Sequence, residues 1–247
     1  MVPRITGIII TAFLWMASAA AQVPEQPDLS TIVARMATAQ QQNAAESQAR
    51  SFTVKRDYQL LDKSMESKAQ IVAQITYVPP NQKQYQIESS HGGMGEKILR
   101  DILDHETEVK KDPQRKELSQ ENYKFQLLGT EMLDGNRCYV LGLDPKRDDK
   151  ELIKGRAWID AQTFKIRRLE GSPSKNPSWW VHDVQILMTF AEVDGMWLRT
   201  FTHAVANVRF KGRYEMVSRD LEYRPVEQVA TRRRNRSAVL AGAAFNP

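Results

Sequence analysis

Four histidines, one cysteine and a short glycine cluster are the residues of this chain whose types could do chemistry. Metal binding would use Asp104-His105-Glu106, which gathers three ligating side chains in a row. Adjacent residues on a helix point in different directions, however, and zinc sites show paired-ligand spacings that His91, His105, His182 and His203 lack. His182-Asp183 pairs a base with an acid, but no serine sits in the strand-to-helix elbow that a nucleophile needs. Gly92-Gly93-Met94-Gly95 stands before a helical segment without the strand-turn-helix context of a dinucleotide site or the lysine of a phosphate loop. Cys138 lies in an alternating strand, where a small buried apolar residue is expected rather than a nucleophile. The chain is therefore expected to be non-enzymatic, with no catalytic residue, no metal ligand, no cofactor and no nucleic-acid partner.

The elements that would position these residues begin with an export signal. Arg4 precedes the apolar run Ile5 to Ala17, and Ala19, Ala20 and Ala21 follow, which is the plan of a secretory signal peptide over residues 1–21. The run falls short of the ~20 residues of a membrane helix. Cleavage after Ala21 removes Arg4 and no acid, so the net charge of +5 falls to +4. A single cysteine excludes an internal disulfide, so the exported part must be held by its apolar core.

That exported part reads as one domain over residues 22–223. A first helix is predicted from about Leu29 to Ala49, capped by Asp28 or Ser30, with Leu29, Ile32, Val33 and Met36 at helical spacing. Period-two alternation then runs through Phe52, Val54, Arg56, Tyr58 and Leu60, through Ala69 to Tyr77, and from Tyr85 to Ser89. Ile98, Leu99, Ile102 and Leu103 share one face of a second helix predicted to reach about Lys111. Strands follow over 122–133, 137–143, 155–160, 165–170, 181–192, 197–210 and 213–223. Asp134-Gly135, Asp194-Gly195 and Lys211-Gly212 mark tight reversals, and strands joined by short turns pair antiparallel. The basic stretch of residues 224–247, with Arg232, Arg233, Arg234 and Arg236, reads as a disordered tail.

A single-layer meander with two helices has more apolar face than those helices cover. Tyr58, Leu60, Ile71, Ile75, Tyr85, Ile87, Trp158, Ile166, Val184, Ile186, Met188 and Phe190 on strands, with Ile98 and Ile102 on the second helix, are the candidate lining of a cavity on the concave side of a curled sheet. Alternation alone favours an ordinary closed, filled barrel core, and side-chain period does not separate a filled interior from an open one.

Several strings carry a resemblance. Gly135-Asn136-Arg137-Cys138-Tyr139-Val140-Leu141, Leu143-Asp144-Pro145-Lys146, Gly155-Arg156-Ala157-Trp158-Ile159-Asp160 and Ile166-Arg167-Arg168-Leu169-Glu170-Gly171 follow one another in order, and Asp194-Gly195-Met196-Trp197-Leu198 and Leu221-Glu222-Tyr223 close the series. From about Leu29 to Tyr223 the chain resembles the superfamily of periplasmic lipoprotein carriers and outer-membrane lipoprotein-sorting proteins, which includes the RseB-type envelope-stress sensors. The resemblance implies a mainly β (α+β) fold, a curved antiparallel sheet forming an open half-barrel with helices covering the concave face. It implies a protein that holds lipid or lipoprotein acyl chains, or one that acts through an envelope membrane protein as a sensor; with the export signal the chain is expected to be a periplasmic monomer, and its basic tail offers a peripheral contact with anionic headgroups. The glycines at 92, 93 and 95 become the expected hinge of a lid. The carriers place an arginine before a Pro-Asn pair to latch that lid; here Pro79 stands in its place.

Overall fold

The computed structural model describes residues 26–80, 82–107 and 113–226. The expected signal peptide, the end of the second helix beyond Thr107 and the tail from residue 227 onward lie outside the described residues. Among the described residues, two helices, α1 (Leu29–Gln48) and α2 (Met94–Thr107), and a 3-10 turn (Pro113–Lys116) accompany the strands. These are β1 (Phe52–Asp62), β2 (Ser67–Val78), β3 (Gln82–His91), β4 (Tyr123–Leu133), β5 (Asn136–Pro145), β6 (Ile153–Asp160), β7 (Ile166–Pro173), β8 (Val181–Val193), β9 (Met196–Val208) and β10 (Gly212–Pro225).

All these strands join one antiparallel sheet in the order β3-β2-β1-β10-β9-β8-β7-β6-β5-β4. Hairpins account for the two runs, and pairing of β1 with β10 joins them. Asp134 and Gly135 (φ 48° and 77°) and Asp194 and Gly195 (φ 51° and 75°) supply the two consecutive positive φ values of tight turns whose twist matches that of the strands. Because β3 and β4 end at opposite edges, the sheet stays unclosed, a curved half-barrel. These two strands are also consecutive in the chain. The segment between them must therefore cross from edge to edge, and α2 and the 3-10 turn lie within that crossing.

Both helices bury apolar side chains against the sheet, and α1 adds amide contacts. Asp28 caps α1, its carboxylate accepting from the Thr31 amide at 2.8 Å, and Ile32, Val33 and Met36 join Leu141, Leu143, Leu152 and Ile159 in the core under β4–β7. The Gln- and Ala-rich second half of α1 has little apolar surface. It docks through amides instead: Asn43 donates to the Trp197 carbonyl at 2.9 Å and accepts from the Trp197 amide at 3.0 Å, and Gln40 donates to the Leu118 carbonyl at 3.1 Å. On α2, Leu99 and Leu103 are fully buried against Leu60, Ala69, Ile71 and Ile75 of β1 and β2, each such side chain contributing roughly 1.5–3 kcal/mol. Gly92 leads into α2 at φ 122°, and a Cβ there would stand 2.3 Å from the Ala69 Cα. The close approach of two backbones, not mobility, thus explains that glycine.

The Trp158-Ile159-Asp160 string is structural in every member. Ile159 faces the core under α1. Asp160 accepts from the Gln162 and Thr163 amides at 3.0 and 2.8 Å and so closes the β6–β7 turn. Trp158 points to the convex side, packed with Cys138 and Val140 between the guanidinium groups of Arg156 and Arg168, each 4.9 Å from its ring.

Candidate functional site

The crossing segment, α1 and the concave face of the sheet surround a cavity of ≈ 1560 Å³, above the range of about 300–1,000 Å³ usual for small-molecule pockets. Its space follows from cross-strand register. Met188 lies opposite Thr202, Thr202 opposite Ser218, and Ser218 opposite Tyr58. Residues opposite one another share a face, so two short side chains separate two long ones and leave a hollow where bulky residues would have filled a barrel. Val33 of α1, Ile102 of α2, Ile166 and Leu169 of β7, Ile186 and Phe190 of β8 and Met216 of β10 supply apolar wall.

Of the predicted lining residues, Tyr58, Ile102, Ile166, Ile186, Met188 and Phe190 come together on this cavity. Leu60, Ile71 and Ile75 are buried beneath α2, with Tyr85 and Ile87 packed against the same cluster. They belong to the packing that holds α2 down rather than to the cavity wall. Ile98 lies on the outer side of α2, 46 % exposed. Val184 is buried beside Asp183, whose φ of 52° breaks the regular start of β8, and it does not reach the lining. Trp158 is excluded by strand parity: Ala157 and Ile159 on either side of it face inward.

A charged cluster that the sequence reading did not single out stands in the cavity wall. Arg56 occupies the inward row of β1 between Val54 and Tyr58 and is 3 % exposed. Its guanidinium pairs with Glu106 of α2 and with Asp220, its neighbour in register on β10, and donates to the Arg199 carbonyl at 3.2 Å. Glu106 also pairs with Arg199 of β9 and accepts from the Tyr58 hydroxyl at 2.8 Å. A single carboxylate in the last turn of α2 is thus tied to β1 and β9. Burial alone would raise the Glu106 pKa, but Arg199, Arg56 and the Tyr58 hydroxyl outweigh it and hold the carboxyl at about 2. Asp220 shifts the other way because its burial outweighs the hydrogen bond and charge of Arg56. The cue was a charged residue in an otherwise apolar inward row; its partners are distant in sequence.

Lys83 of β3 also lines the cavity, its ammonium 4.9 Å from the centre of the Tyr77 ring. Among the described residues no carboxylate stands within ion-pair distance of it. Burial lowers its pKa to about 8, against the partial support of Glu106.

The residues first considered for catalysis are dispersed. Asp104 accepts from the Tyr85 hydroxyl, His105 lies 3.6 Å from Glu151, and Glu106 is held in the charged cluster. Among the described residues no group of three His, Cys, Asp or Glu side chains could hold a metal ion. Burial pushes the Cys138 thiol up to about 11, which suppresses the reactive thiolate. His182 is paired with Asp183 at 2.7 Å and His203 with Glu215 at 2.8 Å, on different strands.

No protein-family profile matches the chain, and a search of curated proteins finds no match. Solved structures do. An outer-membrane lipoprotein-sorting protein domain from Vibrio parahaemolyticus is 14 % identical, with 78 % of this chain and 95 % of that one covered and a TM-score of 0.42. A LolA-superfamily protein from Nitrosomonas europaea is 13 % identical over 81 % of this chain and 94 % of its own, at a TM-score of 0.34. The MucA/MucB complex of Pseudomonas aeruginosa matches at 10 % identity over 78 % and 99 %, at 0.26. These likenesses are remote, and the architecture of this chain rests on its own strand order and register.

Proposed function

We propose that the chain is a non-enzymatic periplasmic binding protein whose cavity holds the acyl chains of a lipid or lipoprotein. The observation that carries the proposal is the hollow between β8 and β1, walled by Ile102, Ile166, Ile186, Met188 and Phe190. Transfer of an acyl chain out of water contributes about 0.8 kcal/mol per CH₂, so such a wall suffices without many polar contacts. Among the described residues no helix is long and apolar enough to cross a membrane.

Met188→Glu tests the cavity most directly. Phe190 lies opposite Arg199, which would neutralise an introduced carboxylate, whereas Met188 lies opposite Thr202. Native mass spectrometry and organic extraction of the chain from Gln22 onward, expressed in a periplasm, should show near-stoichiometric acyl species. Met188→Glu should lower them at least about tenfold, since a carboxylate facing an acyl chain costs more than the 1.4 kcal/mol that a factor of ten requires. A wild-type chain free of lipid would refute the proposal.

A second reading, a sensor that acts through a protein partner, is favoured by β4. This edge strand exposes Leu128 and Met132 beside unpaired backbone groups that could accept a partner strand. Crosslinking from β4 to an envelope protein, combined with an empty cavity, would select it.

A further inference from the structure

A group of exposed aromatic side chains stands apart from the cavity, at the end of the sheet where β8 begins and β9 turns into β10. Trp179 and Trp180 are 75 % and 52 % exposed, and Phe210 at the tip of the β9–β10 turn is 96 % exposed. These residues share one place: the Arg209 amide donates to the Trp180 carbonyl at 2.8 Å, and the Arg209 guanidinium lies 5.4 Å from the centre of the Trp179 ring. Lys211 reaches Met94 at the start of α2, its Nζ 3.4 Å from the thioether sulfur, and Met94 is itself 72 % exposed. Apolar side chains from three segments therefore project into water around two cations. The nearby acid, Asp183, is engaged by His182 and by Asn207 at 3.1 Å.

This presentation has a folding cost. Phe210 holds φ 66°, a region that glycine or asparagine occupies more cheaply than an aromatic residue, and it gains no buried contact in return. Tryptophan beside arginine and lysine is the pairing suited to a bilayer interface, where rings sit among headgroups and cations meet anionic lipid. We infer that Trp179, Trp180, Phe210 and Met94, flanked by Arg209 and Lys211, form a docking tip that inserts reversibly into the headgroup region of an anionic membrane.

Sedimentation of the chain from Gln22 to Pro247 with vesicles tests the tip. Equal parts of phosphatidylethanolamine and phosphatidylglycerol should bind it, phosphatidylcholine alone should bind it weakly, and salt should weaken binding by screening. The triple variant Trp179→Ser/Trp180→Ser/Phe210→Ser should lose at least about tenfold in vesicle partitioning, about 1.4 kcal/mol, while keeping a cooperative thermal transition, because these rings lie outside the core clusters. Arg209→Gln/Lys211→Gln should weaken binding to the anionic vesicles only. Undiminished binding by the triple variant would overturn the inference and assign attachment to another region such as the basic tail. A wild-type chain that ignores vesicles but self-associates through the tip would overturn it in favour of a second copy. Met188→Glu should leave vesicle binding unchanged, so failure of the cavity proposal and failure of the tip are read separately.

Discussion

Arg56→Met is expected to lower the stability of the domain by about 3–5 kcal/mol, the usual consequence of removing one partner from a buried ion pair. The loss comes from what is left behind. Glu106 and Asp220, with side chains 13 % and 14 % exposed, would stay in a wall largely closed to water without the guanidinium that pairs with both. Urea unfolding measures the change, and a loss below about 1 kcal/mol would show that the cluster is solvated like a surface pair. Hydrogen exchange locates it: the amides around Leu99 and Leu103 should open more readily, since the last turn of α2 is held through Glu106. Replacing Arg56, Glu106 and Asp220 together by apolar residues of similar volume should recover much of the loss, because no uncompensated charge then remains.

The same cluster fixes an acid dependence. The folded pKa of Glu106, about 2, lies below its ordinary value of 4.5. Its stabilisation is therefore complete above pH 4.5 and is lost as the pH falls toward 2. Asp220, shifted upward, acts in the opposite sense and favours the folded state where it is protonated. A Glu106→Gln variant should show a shallower loss of stability through this range, measured as urea midpoints at successive pH values. An unchanged acid limb would place the sensitivity elsewhere.

Lys83→Met is expected to raise stability at neutral pH by about 2 kcal/mol, because a displacement of this size corresponds to 1.4 kcal/mol per pKa unit before partial solvation is allowed for. The sign follows from the direction of the shift. Lys83 titrates at about 8 when folded and at its ordinary 10.5 when unfolded, so the unfolded chain binds more protons between those values. The wild-type protein should therefore gain stability as the pH rises from about 8 toward 10.5. Tyr58 and Tyr77, whose phenols burial pushes up, work against folding in the upper part of that window. The difference between wild type and Lys83→Met isolates the lysine, and that difference should shrink as the pH rises. A destabilised Lys83→Met variant would mean that the ammonium contributes to the fold instead of burdening it.

Local features were legible from sequence because their causes are local. Alternation from Phe52 to Leu60 marks an inward row through the pleat of a strand, and Asp134-Gly135 and Asp194-Gly195 mark reversals through backbone conformation alone. Asp28 announces the start of α1 because its carboxylate reaches an amide only three residues on. Even Arg56 stood visibly in the inward row, although nothing nearby said what would neutralise it. The polar half of α1 offered no periodic apolar face, and the amide contacts of Asn43 with Trp197, 154 residues away, have no local signature.

The sequence by itself determined the elements and their antiparallel hairpins, since these depend on side-chain period and turn conformation. Only the tertiary structure decided which parity faces a hollow and which faces the convex side, because that depends on β1 meeting β10 and on small Thr202 and Ser218 falling in register between Met188 and Tyr58. The pairing of Glu106 with Arg56 and Arg199 likewise needed the crossing from β3 to β4, which carries α2 over the concave face. Registers between strands far apart in the chain are set by the whole sheet, and no window of sequence contains them.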